Sequence, residues 1–274
     1  MYMSWGTINQ KIISNKIIMK FNFRESMFRF WYRYLNNVDK NAEILFMNYG
    51  YSDKDQEIPI DEQNEINRYS IQLYLHLVCA TEIKNKDIVE IGCGRGGGLS
   101  YITKNFLPAS AKGVDLDKQA VSFCNRHYTL DGLSFLQGDA QNLSLEDNSC
   151  DVVINVESSH RYPDMKAFLG EVSRILRPNG YFLFTDFRYD NEFEDMKKEL
   201  EFSGMKVVKE RFINKEVIAA LEKDDERKRK LVKKLIPKIL HKIALNFGGT
   251  IGSETYNQFA SHKYIYFSYI LKKL

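Results

Sequence analysis

Two polar residues stand where apolar runs end. His160 follows the run Asp151–Val156, within Ser158-Ser159-His160-Arg161-Tyr162-Pro163, and Asp186 closes a second run in Phe184-Thr185-Asp186-Phe187-Arg188. If both runs are strands of one parallel sheet, both residues reach its carboxyl edge, where such sheets bind ligands. An imidazole oriented by a carboxylate is a general base for an acceptor that must lose a proton. The plainer alternative makes His160 a loop residue capping the next helix and Asp186 an anchor for a turn. Its position directly after this strand favours the base. His76, His127, His241 and His262 have no such partner in sequence and are expected on surface helices or loops.

A second group lies at Val89-Glu90-Ile91-Gly92-Cys93-Gly94-Arg95-Gly96-Gly97-Gly98, an apolar run, an acid and five glycines ahead of a helix-forming segment. A strand feeding a glycine turn and a helix amino terminus cradles nucleotide-like ligands, because glycine permits positive φ and close backbone approach. The bare spacing Gly92, Gly94, Gly97 fits both dinucleotide oxidoreductases and S-adenosylmethionine methyltransferases. Both classes also use an acid after the second strand to hold ribose hydroxyls, and Asp115 stands there. Glu90, two residues before the turn, separates the two classes. It repels a pyrophosphate but attracts a cationic amino acid moiety. Gly138-Asp139-Ala140 places a further acid after the third strand, where it can accept from an adenine amine. Cys93 is expected to be a small buried filler rather than a reactive thiol.

The elements that must position these residues read as alternating strands and helices from Lys86 onward. Strands are expected at Asp87–Cys93, Ala111–Asp117, Leu133–Gln137, Asp151–Val156, Tyr181–Phe187, Met205–Phe212 and Lys263–Leu271. Helices are expected at Leu99–Phe106, Lys118–Tyr128, Asp164–Leu176 (stopped by Pro178-Asn179-Gly180) and Glu192–Ser203. Ahead of them a helix is expected over Glu62–Glu82. A charged helix (Lys215–Leu235) and a segment Ile239–Phe247 precede the last strand. The layout is α/β: residues 1–85 a helical cap, 86–212 a Rossmann-like core, 213–260 a helical insertion over the pocket, and 261–274 the final strand.

Taken together, Glu90-Ile-Gly-Cys-Gly-Arg-Gly-Gly, Val114-Asp115-Leu116, Gly138-Asp139-Ala140 and Leu176-Arg177-Pro178-Asn179-Gly180 resemble a class I S-adenosylmethionine-dependent methyltransferase over roughly residues 86–212. The resemblance implies a seven-stranded sheet with an antiparallel last strand. It implies that Gly92, Gly94 and Gly96 cradle the methionine part of the cofactor, Asp115 the ribose, and Asp139 with Ala140 the adenine. Tyr51, Gln72, Glu90, Cys93, Leu116, Gly138 and Asn155 are placed on the cofactor side as well. For Tyr49, Tyr51 and Gln72, plain packing is the competing reading. Glu157 is expected either to face solvent or to approach the cofactor.

The flanks Phe46-Met47-Asn48-Tyr49-Gly50-Tyr51, Asn155-Val156-Glu157-Ser158-Ser159-His160 and Phe247-Gly248-Gly249-Thr250-Ile251-Gly252-Ser253-x-x-Tyr256 are similar to bacterial natural-product O-methyltransferases, of the phthiotriolone and macrolide types. That resemblance implies a small hydrophobic hydroxyl-bearing acceptor and a histidine–aspartate pair. The long basic amino terminus and the lysine-rich insertion depart from the pattern. No Asn/Asp-Pro-Pro-Tyr/Phe follows strand four, which argues against the adenine and glutamine amino-methylating classes. C- or N-methylation of a small molecule, with His160 only orienting it, is the alternative. A cofactor-binding protein without turnover is a third reading, disfavoured by the pairing of His160 and Asp186.

The 274 residues carry a formal net charge of +3, too small to point to nucleic acid. Four cysteines without disulfide-type spacing suggest a reducing, cytoplasmic setting. No apolar stretch is long enough to span a membrane, and the first residues lack a secretory pattern. No His/Cys/Asp cluster has metal-ligand spacing, so metal-independent chemistry is expected. Residues 1–40 alternate basic and bulky apolar residues, as does Arg227–Ile243. Each reads either as helix packed on the domain (for 227–243, a lid) or as a surface held on anionic membrane.

Overall fold

The structure, a computed structural model, describes residues 34, 38–39, 41–54 and 58–274. The expectations for residues 1–33 lie outside the described residues. Residues Ile44–Leu274 form one compact unit. Residues 44–85, read from sequence as part of a cap, therefore lie within the same unit as the sheet.

Seven strands form one sheet: β1 (Asp87–Ile91), β2 (Ser110–Asp115), β3 (Leu133–Gln137), β4 (Cys150–Val156), β5 (Leu176–Tyr189), β6 (Met205–Phe212) and β7 (Tyr264–Lys273). Their order is β3-β2-β1-β4-β5-β7-β6, and β7 runs antiparallel to both neighbours. The strand order reverses between β1 and β4, so the crevice at their carboxyl ends is the expected ligand site of a doubly wound sheet.

The helices are α1 (Arg68–Val78), α2 (Gly97–Phe106), α3 (Lys118–His127), α4 (Met165–Ile175), α5 (Asp190–Glu201), α6 (Asn214–Leu235), α7 (His241–Phe247) and α8 (Glu254–Ala260). Each central strand alternates its side chains between two cores. In β1, Ile88 joins Leu99 and Ile102 of α2 on one face, while Val89 and Ile91 join Phe168, Leu169 and Val172 of α4 on the other. α4 buries Phe168, Leu169, Val172 and Ile175, the spacing of one helix stripe. Its entry is fixed by Asp164, whose carboxylate accepts from Ala167 N at 2.9 Å.

Three expectations need correction. The helix over Glu62–Glu82 is a 3-10 segment (Glu62–Asn67) followed by α1, which stops at Val78. Asn67 departs from helical ψ and divides the two, although the apolar spacing runs through it. Pro178-Asn179-Gly180, expected to stop α4, lies inside β5, which begins at Leu176 directly after the helix ends at Ile175. Cys150 pairs with Leu176 and Val152 with Tyr181, so the turn is looped out where the register shifts. Asn179 takes a left-handed φ of 68° there. Finally, the insertion read as helical over 213–260 has no helix expected after Gly252, and α8 stands there. It is a short helix capped by Ser253, and Phe259 is its only buried residue, too little periodicity to announce it.

Candidate active site

β1 ends in the glycine turn, which takes left-handed φ values of 75° at Gly92, 53° at Gly94 and 74° at Gly96. At Gly92 a Cβ would stand 1.8 Å from Ser158 Oγ, so the residue is required by space as well as by φ. The turn is tied to β2 at Val114 O, which accepts from Gly92 N at 2.7 Å and Cys93 N at 3.1 Å. Asp115 ends β2 and its carboxylate spans two loops, accepting from Gly94 N and Asp117 N, each at 2.8 Å. Burial raises its pKa against those hydrogen bonds. Cys93 is buried, and burial pushes its thiol well above the usual range, as a filler requires.

Glu90 is fully buried. Its Oε1 accepts from Tyr74 Oη at 2.7 Å, while Oε2 is buried without a partner. Burial pushes this carboxyl up to about 8, the Tyr74 hydrogen bond opposing and Asp115 adding to the rise. Two more side chains share this condition. Asn155 of β4 donates to Ile91 O at 2.8 Å and to Tyr162 Oη at 3.2 Å, but its Oδ1 is buried and unmatched. Gln72 of α1, two residues before Tyr74, has both amide atoms buried with no partner. Buried polar atoms are nearly always paired, so each orphan is a candidate for a ligand contact; Glu90 pairs with Ile154 across the strands, which sends the next residue, Asn155, to the opposite face of the sheet. An orphaned carboxyl oxygen suits an ammonium and an orphaned amide suits a carboxylate, the groups of an amino acid.

After β3, Asp139 is exposed and Ala140 buried, and Asp139 Oδ1 accepts from Gln141 N at 2.9 Å. Gly138 N donates to Asp115 O at 3.0 Å, which joins this corner to the end of β2. Leu116 beside it is 62% exposed, an apolar surface left open there. Tyr51 has different company: its ring stacks on His76 at 4.5 Å and its hydroxyl donates to Asp53. His76 is not the surface residue expected, since it is largely buried and its Nε2 lies 2.9 Å from Ser268 Oγ.

The expected pair forms. His160 Nδ1 lies 2.7 Å from Asp186 Oδ1, with both side chains buried. The second carboxylate oxygen accepts from Ser159 Oγ at 2.6 Å and from His160 N at 2.9 Å, and Arg188 Nη1 lies 3.2 Å away. Burial works to raise the Asp186 carboxyl, but His160 and Arg188 outweigh it and hold it well below the usual range. An ionised carboxylate only accepts, so the His160 ring carries its proton on Nδ1 and its lone pair on Nε2. That lone pair accepts from Arg161 Nε at 3.1 Å. Burial lowers His160 to about 4 against the pull of Asp186, with Arg161 and Arg188 adding to the fall, so the ring is neutral at pH 7.

Glu157, between β4 and His160, does not face solvent. It is buried with a left-handed φ of 48°, and its Oε1 accepts from Tyr49 N at 2.8 Å and from the Tyr266 hydroxyl. Burial pushes its carboxyl up to about 8. A strained, buried acid of this kind is characteristic of functional sites. Around it stand rings from four elements. Phe187 packs 4.4 Å from the His160 ring, and Tyr49 meets Phe187 at 5.8 Å and Phe259 at 5.0 Å. The sequence singles out neither Ser159, Arg161 nor Arg188, although each neighbours a residue that it does. Among the described residues, no group of three or more His, Cys, Asp or Glu is placed to hold a metal ion.

A family described as "Methyltransferase domain" matches residues 89–184, the span from β1 to β5 that carries both the glycine turn and His160. The fatty-acid O-methyltransferase of Mycolicibacterium smegmatis is 40% identical over 218 residues, covering 79% of this chain and 80% of that protein. The phthiotriol/phenolphthiotriol dimycocerosates methyltransferase of Mycobacterium tuberculosis is 37% identical over 229 residues, covering 83% and 85%. Among solved structures, geranyl diphosphate C-methyltransferase from Streptomyces coelicolor shares the fold, with a TM-score of 0.62, 14% identity and coverage of 88% of this chain and 98% of that one. The chain belongs to the class I S-adenosylmethionine-dependent methyltransferases. It is an enzyme whose methyl donor is S-adenosylmethionine.

Proposed function

We propose that this enzyme methylates a hydroxyl oxygen of a hydrophobic, lipid-like acceptor, and that His160 takes the hydroxyl proton. The observation that carries the reading is the neutral His160, steadied by Asp186 at 2.7 Å and set among the rings of Phe187, Tyr49 and Phe259. The names of the two mycobacterial relatives, one a fatty-acid O-methyltransferase and one a methyltransferase of phthiotriol lipids, support an acceptor of this class.

On the cofactor side, Gly92, Gly94 and Gly96 give backbone clearance for the methionine portion. Glu90 Oε2, buried without a partner, accepts from its ammonium, the Gln72 amide meets its carboxylate, and Asn155 borders the same end of the cofactor from β4. Asp115 takes the ribose hydroxyls, and Asp139 with Gly138, Ala140 and Leu116 borders the adenine. Cys93 acts as backbone and filler within the turn. Tyr51, engaged with His76 and Asp53, belongs to the lid over this side.

S-adenosylmethionine, when bound, supplies a methyl group on a sulfonium that a nucleophile displaces in line. The protein aligns and deprotonates the acceptor. Arg161 first leaves His160 Nε2, and the acceptor hydroxyl donates to the same lone pair. As the proton passes to Nε2, the ionised Asp186 stabilises the imidazolium, while Ser159, Arg188 and the backbone keep the carboxylate from turning. The apolar rings exclude water, so the acceptor oxygen that has given its proton to His160 is the nucleophile present, and the thioether sulfur of the donor would be the leaving group. Transfer of a deuterated methyl group to a long-chain secondary alcohol should give a methyl ether, read by mass spectrometry. Label found only on carbon or nitrogen of added acceptors would overturn the reading.

We further infer that the surface around residues 238–243 rests on anionic membrane when the acceptor is collected. Ile239 is 88% and Ile243 41% exposed, beside Lys238 and Lys242, an apolar ridge flanked by cations. No helix among the described residues is long and apolar enough to cross a membrane. Co-sedimentation of the chain with phosphatidylglycerol vesicles should occur and weaken on Ile239→Glu; absence of pelleting removes this contact.

A further inference from the structure

The buried face of α6 runs Val217, Ala220, Leu221, Asp224, spacing that makes Lys228 its next member. A leucine would suit that position. Instead the ammonium of Lys228 is buried and makes no hydrogen bond. The nearest carboxylate does not neutralise it. Asp224 gives both oxygens to Arg227, at 2.6 Å each, and leaves Lys228 Nζ at 4.0 Å, beyond hydrogen-bond length. Glu157, which faces it from the end of β4, is pushed up to about 8 by burial and so is mostly uncharged at neutral pH. Burial lowers Lys228 itself to about 8, with Asp224, Glu157 and Asp225 opposing and Arg227 adding to the fall, so it remains mostly cationic at pH 7.

Packing connects this cation to the rings beside His160. Its stem passes the Gly248-Gly249 turn, where a Cβ on Gly248 would lie 4.0 Å from Lys228 Cδ and one on Gly249 3.2 Å from the Tyr49 ring. Tyr49 leads through Phe187 to His160. Glu157 is three residues from His160 along the same loop. A buried ammonium with one long ion pair and no hydrogen bond is costly, and a ligand that accepts from it offsets that cost.

We propose that Lys228 is an anion subsite that holds a carboxylate carried by the acceptor, so that the enzyme selects acyl chains with an acidic end over neutral chains. The inference rests on the acceptor reading above. A carboxylate fits better than a phosphate, because one ammonium stands alone here without the guanidinium fork or nest of backbone N–H groups that a dianion needs. The aromatic rings beside it fit the first carbons of the chain.

Calorimetry of the full chain saturated with S-adenosylhomocysteine, using dodecanoate and dodecan-1-ol as probes, tests the subsite. Wild type should bind dodecanoate at least tenfold more tightly, about what one charged hydrogen bond provides. Lys228→Met keeps the stem and removes the charge, and should erase that preference while changing dodecan-1-ol affinity less than about twofold. Lys228→Arg, as a check on folding and charge, should keep the preference. Equal binding of the two probes by wild type, or equal loss of both in Lys228→Met, overturns the subsite. Methyl transfer to oxygen is scored separately by mass spectrometry, so a Lys228-dependent carboxylate preference without an O-methyl product would refute the function while leaving the subsite standing.

Discussion

The two sides of the catalytic crevice are built differently. The side proposed to hold the cofactor grows from consecutive residues: the glycine turn after β1, with Asp115 at the end of the neighbouring strand and hydrogen-bonded to Gly94 N. The side proposed for the acceptor is assembled from remote parts. Tyr49 N and Tyr266, 217 positions apart (266 − 49), meet on one oxygen of Glu157, and α6 brings Lys228 to face the same acid. A common cofactor demands one geometry, so its binding side is fixed by local backbone requirements such as positive φ. The acceptor side has to suit one substrate, and long-range packing supplies it without any local signature. If this contrast is right, changes on the two sides should separate into loss of cofactor affinity and loss of turnover.

The largest effect belongs to the turn. Gly92→Ala drives a Cβ into Ser158 and demands a left-handed φ from alanine, so cofactor binding should be lost by at least ~100-fold and stability should fall by roughly 1–3 kcal/mol. Calorimetry with S-adenosylhomocysteine and thermal melting read the two effects. Normal affinity would detach the cofactor from this turn.

Next comes Asp186→Asn, which removes the charge that fixes the His160 tautomer. Turnover should fall roughly 10²–10⁴-fold while cofactor affinity changes little. A parallel loss of cofactor affinity would mean that the two sides are not separable.

Glu90 sharpens the comparison through pH. Its folded pKa is raised from 4.5 to about 8, so the folded protein holds this proton more tightly than the unfolded chain does. The stability it contributes is full below about 4.5 and is lost as pH rises through about 8. Glu157, raised in the same way, adds to the trend. The melting temperature of the cofactor-free protein should therefore decline over that window. Glu90→Gln should flatten the decline and weaken S-adenosylmethionine by roughly tenfold, the loss of one charged hydrogen bond. An unchanged pH slope would mean that Glu90 is ionised in the fold.

The smallest effect is also the most particular. Gln72→Leu replaces a buried amide without partners by an apolar side chain, so the free protein should gain about 1 kcal/mol while cofactor affinity falls severalfold. A loss of stability would mean that the amide already has a partner.

Legibility in the sequence follows the same division. Strands β3 and β6 end where apolar alternation and flanking polar residues place them, and the antiparallel β7 follows from the family resemblance. Asp115 is legible because it closes β2, and Asp139 and His160 because they follow the ends of β3 and β4; Asp186, expected to end its strand, stands inside β5, which runs on to Tyr189. Glu157 is not, because its left-handed φ and its burial arise from Tyr49 and Tyr266, which no short window contains. His76 reads as a surface residue because its partners, Tyr51 and Ser268, come from remote chain. Arg161 hides for another reason: it stands beside the residue it engages, and only the side-chain geometry reveals that its Nε occupies the lone pair of His160.

His160→Ala, measured for S-adenosylhomocysteine affinity and for single-turnover methyl transfer in the same preparation, tests the central claim most directly. The account predicts affinity within about twofold of wild type and transfer slower by roughly 10²–10⁴-fold, the usual contribution of a positioned general base. Unimpaired transfer would contradict it and return His160 to a structural role in the loop after β4.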